Sequence, residues 1–150
     1  MSGGNKPVTI TLEVRAKDLY TAIPQPLSTN QTELDTYCGL SDNNLTAPGK
    51  IPPGGTLNDY CSDVYSTNKV IWKGKNSGSD GYRVLIDSIS NNPSFFASDP
   101  PGQSGIVTAT LKDGIDGVVD TYTINFSIDP PGNGAAQSYS LDPKLRGNPK

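Results

Sequence analysis

The side chains best placed to do chemistry in this sequence are aspartates in its C-terminal third. Asp113, Asp116 and Asp120 lie close together, and a glycine follows each of the first two. Carboxylate oxygens suit Ca²⁺, and glycine allows backbone carbonyls to turn toward an ion. This group therefore predicts a calcium site, although the spacing is not that of an EF-hand. The alternative is a plain hairpin turn, because Asp-Gly steps are typical of tight turns.

A second group combines aromatic rings with acids around the two cysteines. Aromatic rings present flat apolar faces with a polar tip, which suits stacking on a sugar ring while carboxylates bind its hydroxyls. This pattern predicts a ligand platform for a glycan or an ion, formed by Tyr37, Tyr60, Tyr65, Asp35, Asp59 and Asp63. The alternative is a set of solvated loop acids.

The two cysteines, Cys38 and Cys61, flank a loop rich in proline and glycine. A disulfide between them would stabilise the fold by roughly 3 kcal/mol in the chain-entropy model. We therefore expect this bridge, with two reduced thiols in the interior as the alternative. Two cysteines without histidine cannot complete a zinc site unless carboxylates join them.

Histidine is absent from the chain. Its absence excludes Ser-His-Asp and Cys-His catalytic groups and zinc or copper sites ligated by histidine. Paired carboxylates can hydrolyse glycosides without histidine, but that mechanism needs a deep cleft, and Glu13 and Glu33 are the only glutamates. The sequence therefore offers no catalytic residues, and we expect a protein that is not an enzyme.

Charge and hydropathy narrow the possible partners. The net charge is −3 and no segment concentrates lysine or arginine, which argues against nucleic-acid binding. No apolar stretch is long enough to predict membrane insertion. A composition rich in threonine, serine and asparagine is typical of secreted bacterial β proteins. We therefore expect a secreted or cell-surface protein whose leader is not part of this sequence, with a cytoplasmic location as the alternative.

The elements that must position these residues are strands. With 16 glycines, 13 prolines and 33% hydrophobic residues in 150, long helices are disfavoured. Alternating apolar and polar residues predict strands at 8–15, 69–73, 82–89, 106–111, 120–128 and 137–141. We predict an all-β fold, an antiparallel two-sheet sandwich of the Ig-like kind with about seven to nine strands. It would form one domain over residues 1–150, with flexible tails at 1–6 and 144–150 and an irregular segment at 27–67.

The aromatic residues indicate where the core lies. Trp72 is the only tryptophan and sits in a strand pattern, a position typical of a core residue in a sandwich. Tyr122, Ile124, Phe126 and Ile128 alternate with polar residues and share one face. We expect Phe95 and Phe96 to hold a loop in place.

The C-terminal half, about residues 68–146, resembles a known family. Its order is a Trp72 strand, paired aromatics in a loop, a Tyr-x-Ile-x-Phe strand beginning at Tyr122, and a final Tyr139-Ser-Leu-Asp-Pro segment. This order is similar to that of the PixA/AidA-type inclusion-body proteins and of small bacterial β-sandwich proteins ending in Ile/Leu-Asp-Pro-Lys. The resemblance implies an Ig-like sandwich, no catalytic residues to transfer, and a binding or stress-related role. It offers no counterpart for the segment from Cys38 to Cys61.

These observations favour a non-enzymatic protein that works through its surface. Unpaired edge strands of a sandwich accept a strand from another chain, which favours self-assembly or binding to another protein. The alternative function is a calcium-assisted carbohydrate-binding module, with a glycan as the partner.

Overall fold

The computed structural model describes residues 7–22, 36–42, 50–51, 60–78, 81–90, 94–96, 100, 102–132 and 134–148. Within these ranges the chain forms twelve strands and one helix. In chain order they are β1 (Val8–Val14), α1 (Ala16–Ala22), β2 (Cys38–Asp42), β3 (Lys50–Ile51), β4 (Cys61–Tyr65), β5 (Lys69–Asn76), β6 (Arg83–Ser90), β7 (Gly102–Gln103), β8 (Ile106–Thr110), β9 (Val119–Thr121), β10 (Thr123–Asp129), β11 (Gln137–Leu141) and β12 (Lys144–Asn148).

The predicted all-β sandwich is confirmed, but the described strands form three sheets where two were expected, and twelve strands exceed the predicted seven to nine. A six-stranded sheet has the order β3-β2-β1-β5-β8-β7, and two three-stranded sheets have the orders β11-β10-β6 and β4-β12-β9. Most pairs are antiparallel, as expected, but β1 with β5 and β4 with β12 are parallel. The Ig-like arrangement of strands stays a prediction.

One hydrophobic core is shared by the inner faces of the sheets. Every second residue of β1 is buried, as its alternation predicted. Trp72 is 1% exposed, which confirms it as a core residue. Its indole Nε1 donates a hydrogen bond to the hydroxyl of Tyr122 at 3.0 Å, and its ring meets that of Phe96 edge-on. The buried indole N–H thus has the partner it needs.

The best predicted strand is interrupted near its beginning. The segment expected as one strand over 120–128 divides into β9 and β10 at Tyr122, whose backbone N–H donates to Pro143 O. The division sends β9 into the sheet with β12 and β10 into the sheet with β11. The alternation is kept, because Tyr122, Ile124, Phe126 and Ile128 are all fully buried.

Two elements differ from the sequence prediction. The expected tail at 144–150 is wrong for residues 144–148, which form β12 between β4 and β9. Gly147 in this strand lies so close to the backbone of Ile115 that a Cβ there would collide with it. The helix α1 was not predicted; its buried residues, Ala16 and Leu19, are three apart and face the core.

The segment predicted as irregular, 27–67, contains three described strands, β2, β3 and β4. β2 pairs with β1, and β4 pairs with β12. Residues 23–35, 43–49 and 52–59 lie outside the described part of the chain.

Candidate functional site

A polar cluster joins the six-stranded sheet to the sheet of β4. Asp42, the last residue of β2, accepts hydrogen bonds on Oδ2 from the Tyr60 hydroxyl at 3.0 Å and from Ser62 Oγ at 2.6 Å. Tyr60 and Ser62 are buried, while Asp42 is partly exposed. Because a carboxylate bound by two hydroxyls forms charge-assisted hydrogen bonds, this cluster holds the ends of β2 and β4 together.

A second polar group lies on the same strand, β4. The Arg146 guanidinium on β12 forms a two-point ion pair with Asp63, with Nη2 2.8 Å from Oδ2. Asn148 Nδ2 donates to the same carboxylate at 3.2 Å. The side chain of Asp63 is 7% exposed and that of Arg146 is 52% exposed. Hydrogen bonds from Arg146 lower the pKa of Asp63 below its usual value, because they favour the ionised form.

Burial raises the pKa values of two tyrosine hydroxyls and one thiol near these groups. Burial and the neighbouring Asp42 carboxylate raise the pKa of Tyr60 far above its usual range. Burial also raises the pKa of Tyr122 and of the Cys61 thiol. Each of these groups is therefore held in its neutral form at physiological pH, so neither the phenols nor the thiol is activated as a nucleophile.

The predicted ligand platform is not formed by the residues that the structure describes. Tyr60 is 1% exposed and belongs to the core, so its assignment to an exposed platform is wrong. Tyr37 and Tyr65 are half-buried against the core, and the Arg15 guanidinium covers the Tyr37 ring at 5.2 Å. Asp63 is buried and paired with Arg146. Asp35 and Asp59 lie outside the described residues.

The three aspartates of the predicted calcium site face different partners. Asp113 Oδ1 accepts from the N–H of Gly114, Asp116 Oδ1 from Ser66 Oγ, and Asp120 Oδ2 from Ser94 Oγ. Among the described residues, no three cysteine, aspartate or glutamate side chains come together as a group that could hold a metal. Gly114 and Gly117 both have φ of +76°, as the alternative reading of a tight turn requires.

The predicted disulfide is contradicted by the structure. Cys38 and Cys61 are not joined by a disulfide. Cys38 opens β2 in the six-stranded sheet, where it pairs with Val14, and Cys61 opens β4, where it pairs with Lys144. The prediction failed because it treated the intervening loop as needing a covalent closure, whereas each cysteine is fixed by its own strand pairing.

A row of hydroxyls and amides that the sequence analysis did not single out crosses the sheet β11-β10-β6. Asn125 Nδ2 donates to Ser88 Oγ and to Ser90 Oγ, each at 3.0 Å. Ser140 Oγ donates to Asn125 Oδ1 at 3.2 Å. The row therefore spans all three strands and ends at Ser140, on the edge strand β11. In the sequence, the polar residues of this row alternate with apolar ones along β10 and β11. That alternation predicted strands but not the hydrogen bonds between these side chains.

The polar groups of the described chain serve mainly to hold the fold. No buried side-chain nitrogen or oxygen in that part lacks a hydrogen-bond partner. Such satisfied networks fix strands relative to one another. The depression on the outer face of the six-stranded sheet, lined by Thr11, Glu13, Lys73 and Lys75 among others, is shallow and solvent-exposed.

The fold is that of a known solved structure. Comparison of the sequence with protein-family models and with curated proteins gives no match. The structure is similar to that of an inclusion body protein, PixA, from Burkholderia cenocepacia, with a TM-score of 0.62 and 13% sequence identity over 98% of each chain. The likeness expected from residues 68–146 is confirmed at the level of the fold, and it extends over the N-terminal half as well.

The comparison also corrects the expected location. The predicted secreted or cell-surface location is contradicted, because the solved structure with this fold is titled an inclusion body protein. No helix among the described residues is long and apolar enough to cross a membrane.

Proposed function

We propose that this chain is a non-enzymatic β protein that assembles with copies of itself. The observation that carries the proposal is the shared fold over 98% of the chain with a protein named as an inclusion body protein. The chemistry of the described residues supports it: Asp42, Asp63, Asp116 and Asp120 each bind a neighbouring side chain of the same chain.

Edge strands provide the physical means of assembly. In the part of the chain that the structure describes, each of the three sheets has two outer strands. The outer strand of an open sheet can pair with a strand of another molecule. Repetition of one such contact by a two-fold axis gives a dimer, and a second contact elsewhere on the surface extends it into a larger assembly.

Sedimentation velocity over a wide range of protein concentration tests self-assembly. We expect the sedimentation coefficient to rise with concentration as monomers enter a larger species. A single monomeric species at every concentration would contradict the proposal. Turnover of any polysaccharide by purified protein would contradict its non-enzymatic part.

A further inference from the structure

The strand β11 is the outer strand of the sheet β11-β10-β6. All five of its residues pair with β10 along one side. No strand in the described part of the chain pairs along its other side. A strand in this position presents backbone groups that can extend the sheet.

The other outer strands carry features that discourage such pairing. β3 and β7 have only two residues each. β9 has three, and the Asp120 carboxylate binds the N–H of Thr121 in it. β4 carries Asp63, and β6 is tied to the β7–β8 turn by a hydrogen bond from Ile86 N–H to Gly105 O. Short length and charge are the usual protections of sheet edges, and β11 has neither, since it has five residues without charge or proline.

The sequence of β11 is nearly symmetric about its central residue. It reads Gln137, Ser138, Tyr139, Ser140, Leu141. When two copies of this strand pair antiparallel about Tyr139, Ser138 of one copy stands opposite Ser140 of the other. The contact between Ser138 and Ser140 is then made twice, which is the geometry of a two-fold symmetric interface.

The hydroxyl row on the outer face of the sheet points to the same partner. The row from Ser88 through Asn125 ends at Ser140, which donates its proton to Asn125. Its oxygen can still accept a hydrogen bond at the edge. Ser138 of a second copy would stand directly across from it and would carry the row into the second molecule. Cross-strand pairs of hydroxyl side chains stabilise such pairing.

We propose that two copies of the chain pair antiparallel through β11, with Tyr139 at the two-fold axis, to form one continuous sheet of six strands. This inference rests on the proposed self-assembly and names the surface that begins it. Its partner is a second copy because the strand is uncharged and complementary to itself.

A charge placed on the edge tests the surface. Ser138 is exposed, so Ser138→Lys places an ammonium in the proposed interface without disturbing the core. We expect loss of the dimer in sedimentation velocity. Ser138→Thr is the matched control, because it keeps the hydroxyl and raises strand propensity, and we expect it to keep the dimer. Circular dichroism of both variants verifies that each remains folded.

Cysteine cross-linking tests the register, in a Cys61→Ser background that removes the partly exposed native thiol. Residues directly opposite in an antiparallel pair are close enough for a disulfide, whereas diagonal neighbours are about 7–8 Å apart. We therefore expect a mixture of Ser138→Cys and Ser140→Cys chains to cross-link on mild oxidation, and each variant alone to remain largely uncross-linked. Cross-linking of either single variant as efficiently as that of the mixture would overturn this register.

The outcomes separate this inference from the broader proposal. A wild-type protein that is monomeric at every concentration overturns both. A wild-type protein that associates while Ser138→Lys associates equally well overturns only the β11 surface. Association that is lost in Ser138→Lys, kept in Ser138→Thr and captured by the mixed cysteine pair supports both.

Discussion

Arg146 and Asp63 form a two-point ion pair between neighbouring parallel strands, although 83 residues separate them in the chain. The carboxylate is buried and the guanidinium is half-exposed. Asn148 adds a hydrogen bond to the same carboxylate. The pair thus holds β12 beside β4, and the guanidinium compensates the charge of the buried carboxylate.

Removal of Arg146 should destabilise the fold. Arg146→Met keeps part of the aliphatic stem but leaves the Asp63 carboxylate buried without its cation, which costs about 1–3 kcal/mol. The matched control is Arg83→Met, because Arg83 pairs with Asp129 where the side chains are 67% and 32% exposed. Exposed pairs contribute at most about 1 kcal/mol. Urea denaturation measures both variants, and equal losses would contradict the structural role of the buried pair.

The same pair predicts part of the acid dependence of stability. The pKa of Asp63 is lower in the folded chain than in the unfolded one, where it is about 3.9. The stabilisation is therefore fully present above that unfolded pKa and is lost as the pH falls through the lower, folded pKa. We expect Asp63→Asn to be less stable than wild type near neutral pH and to lose less stability on acidification.

The pKa of Asp87 is shifted in the direction opposite to that of Asp63. Burial raises its pKa in the folded state, so the folded chain holds this proton more tightly than the unfolded chain. Asp87 therefore favours folding more as the pH falls. We expect Asp87→Asn to lose stability more steeply than wild type on acidification, measured by thermal melts between about pH 6 and pH 3. A shallower dependence would contradict the assigned direction.

The hydrogen bond from Trp72 to Tyr122 can be tested by deleting one oxygen. Tyr122→Phe leaves a buried indole N–H without its acceptor, and we expect a loss of about 1–3 kcal/mol. Tyr37→Phe is the control, because Tyr37 is only half-buried, and surface changes of this kind cost less than about 0.5 kcal/mol. Trp72 is the only tryptophan, so its fluorescence reports unfolding in both variants. Equal effects would show that the buried bond contributes little.

Both cysteines should be in the reduced form. We expect the mass of the intact protein to match the fully reduced chain and the melting temperature to be the same with and without reductant. Cys38 is buried and the pKa of Cys61 is raised, so both should react slowly with a thiol reagent in the native state and rapidly in denaturant. A mass lower by about 2 Da, the two hydrogens lost in forming an S–S bond, would restore the disulfide hypothesis.

Local patterns were enough to locate much of the structure. Strict alternation placed β1, and it placed the buried face that runs through Ile124, Phe126 and Ile128. The bounds of β11 were predicted at 137–141, as observed. These predictions succeeded because a strand with one buried face repeats every two residues, whatever it pairs with.

The candidate site was much less predictable. Tyr60 was placed on an exposed platform because it lies in the segment predicted to be irregular, yet its ring lies in the core and its hydroxyl binds Asp42. The short helix α1 begins where Asn76 accepts a hydrogen bond from the Ala16 N–H. Neither contact leaves a local signal, because the partners come from distant parts of the chain.

The sequence by itself determined that the chain is a β protein, which face of its clearest strands is buried, and that histidine is absent. Tertiary structure alone decided the parallel pairs, the division of one predicted strand at Tyr122, the burial of Asp63 under Arg146, and the position of β11 at a sheet edge. The physical reason is that alternation records which face of a strand avoids water, whereas strand order is set by the joint packing of many distant segments.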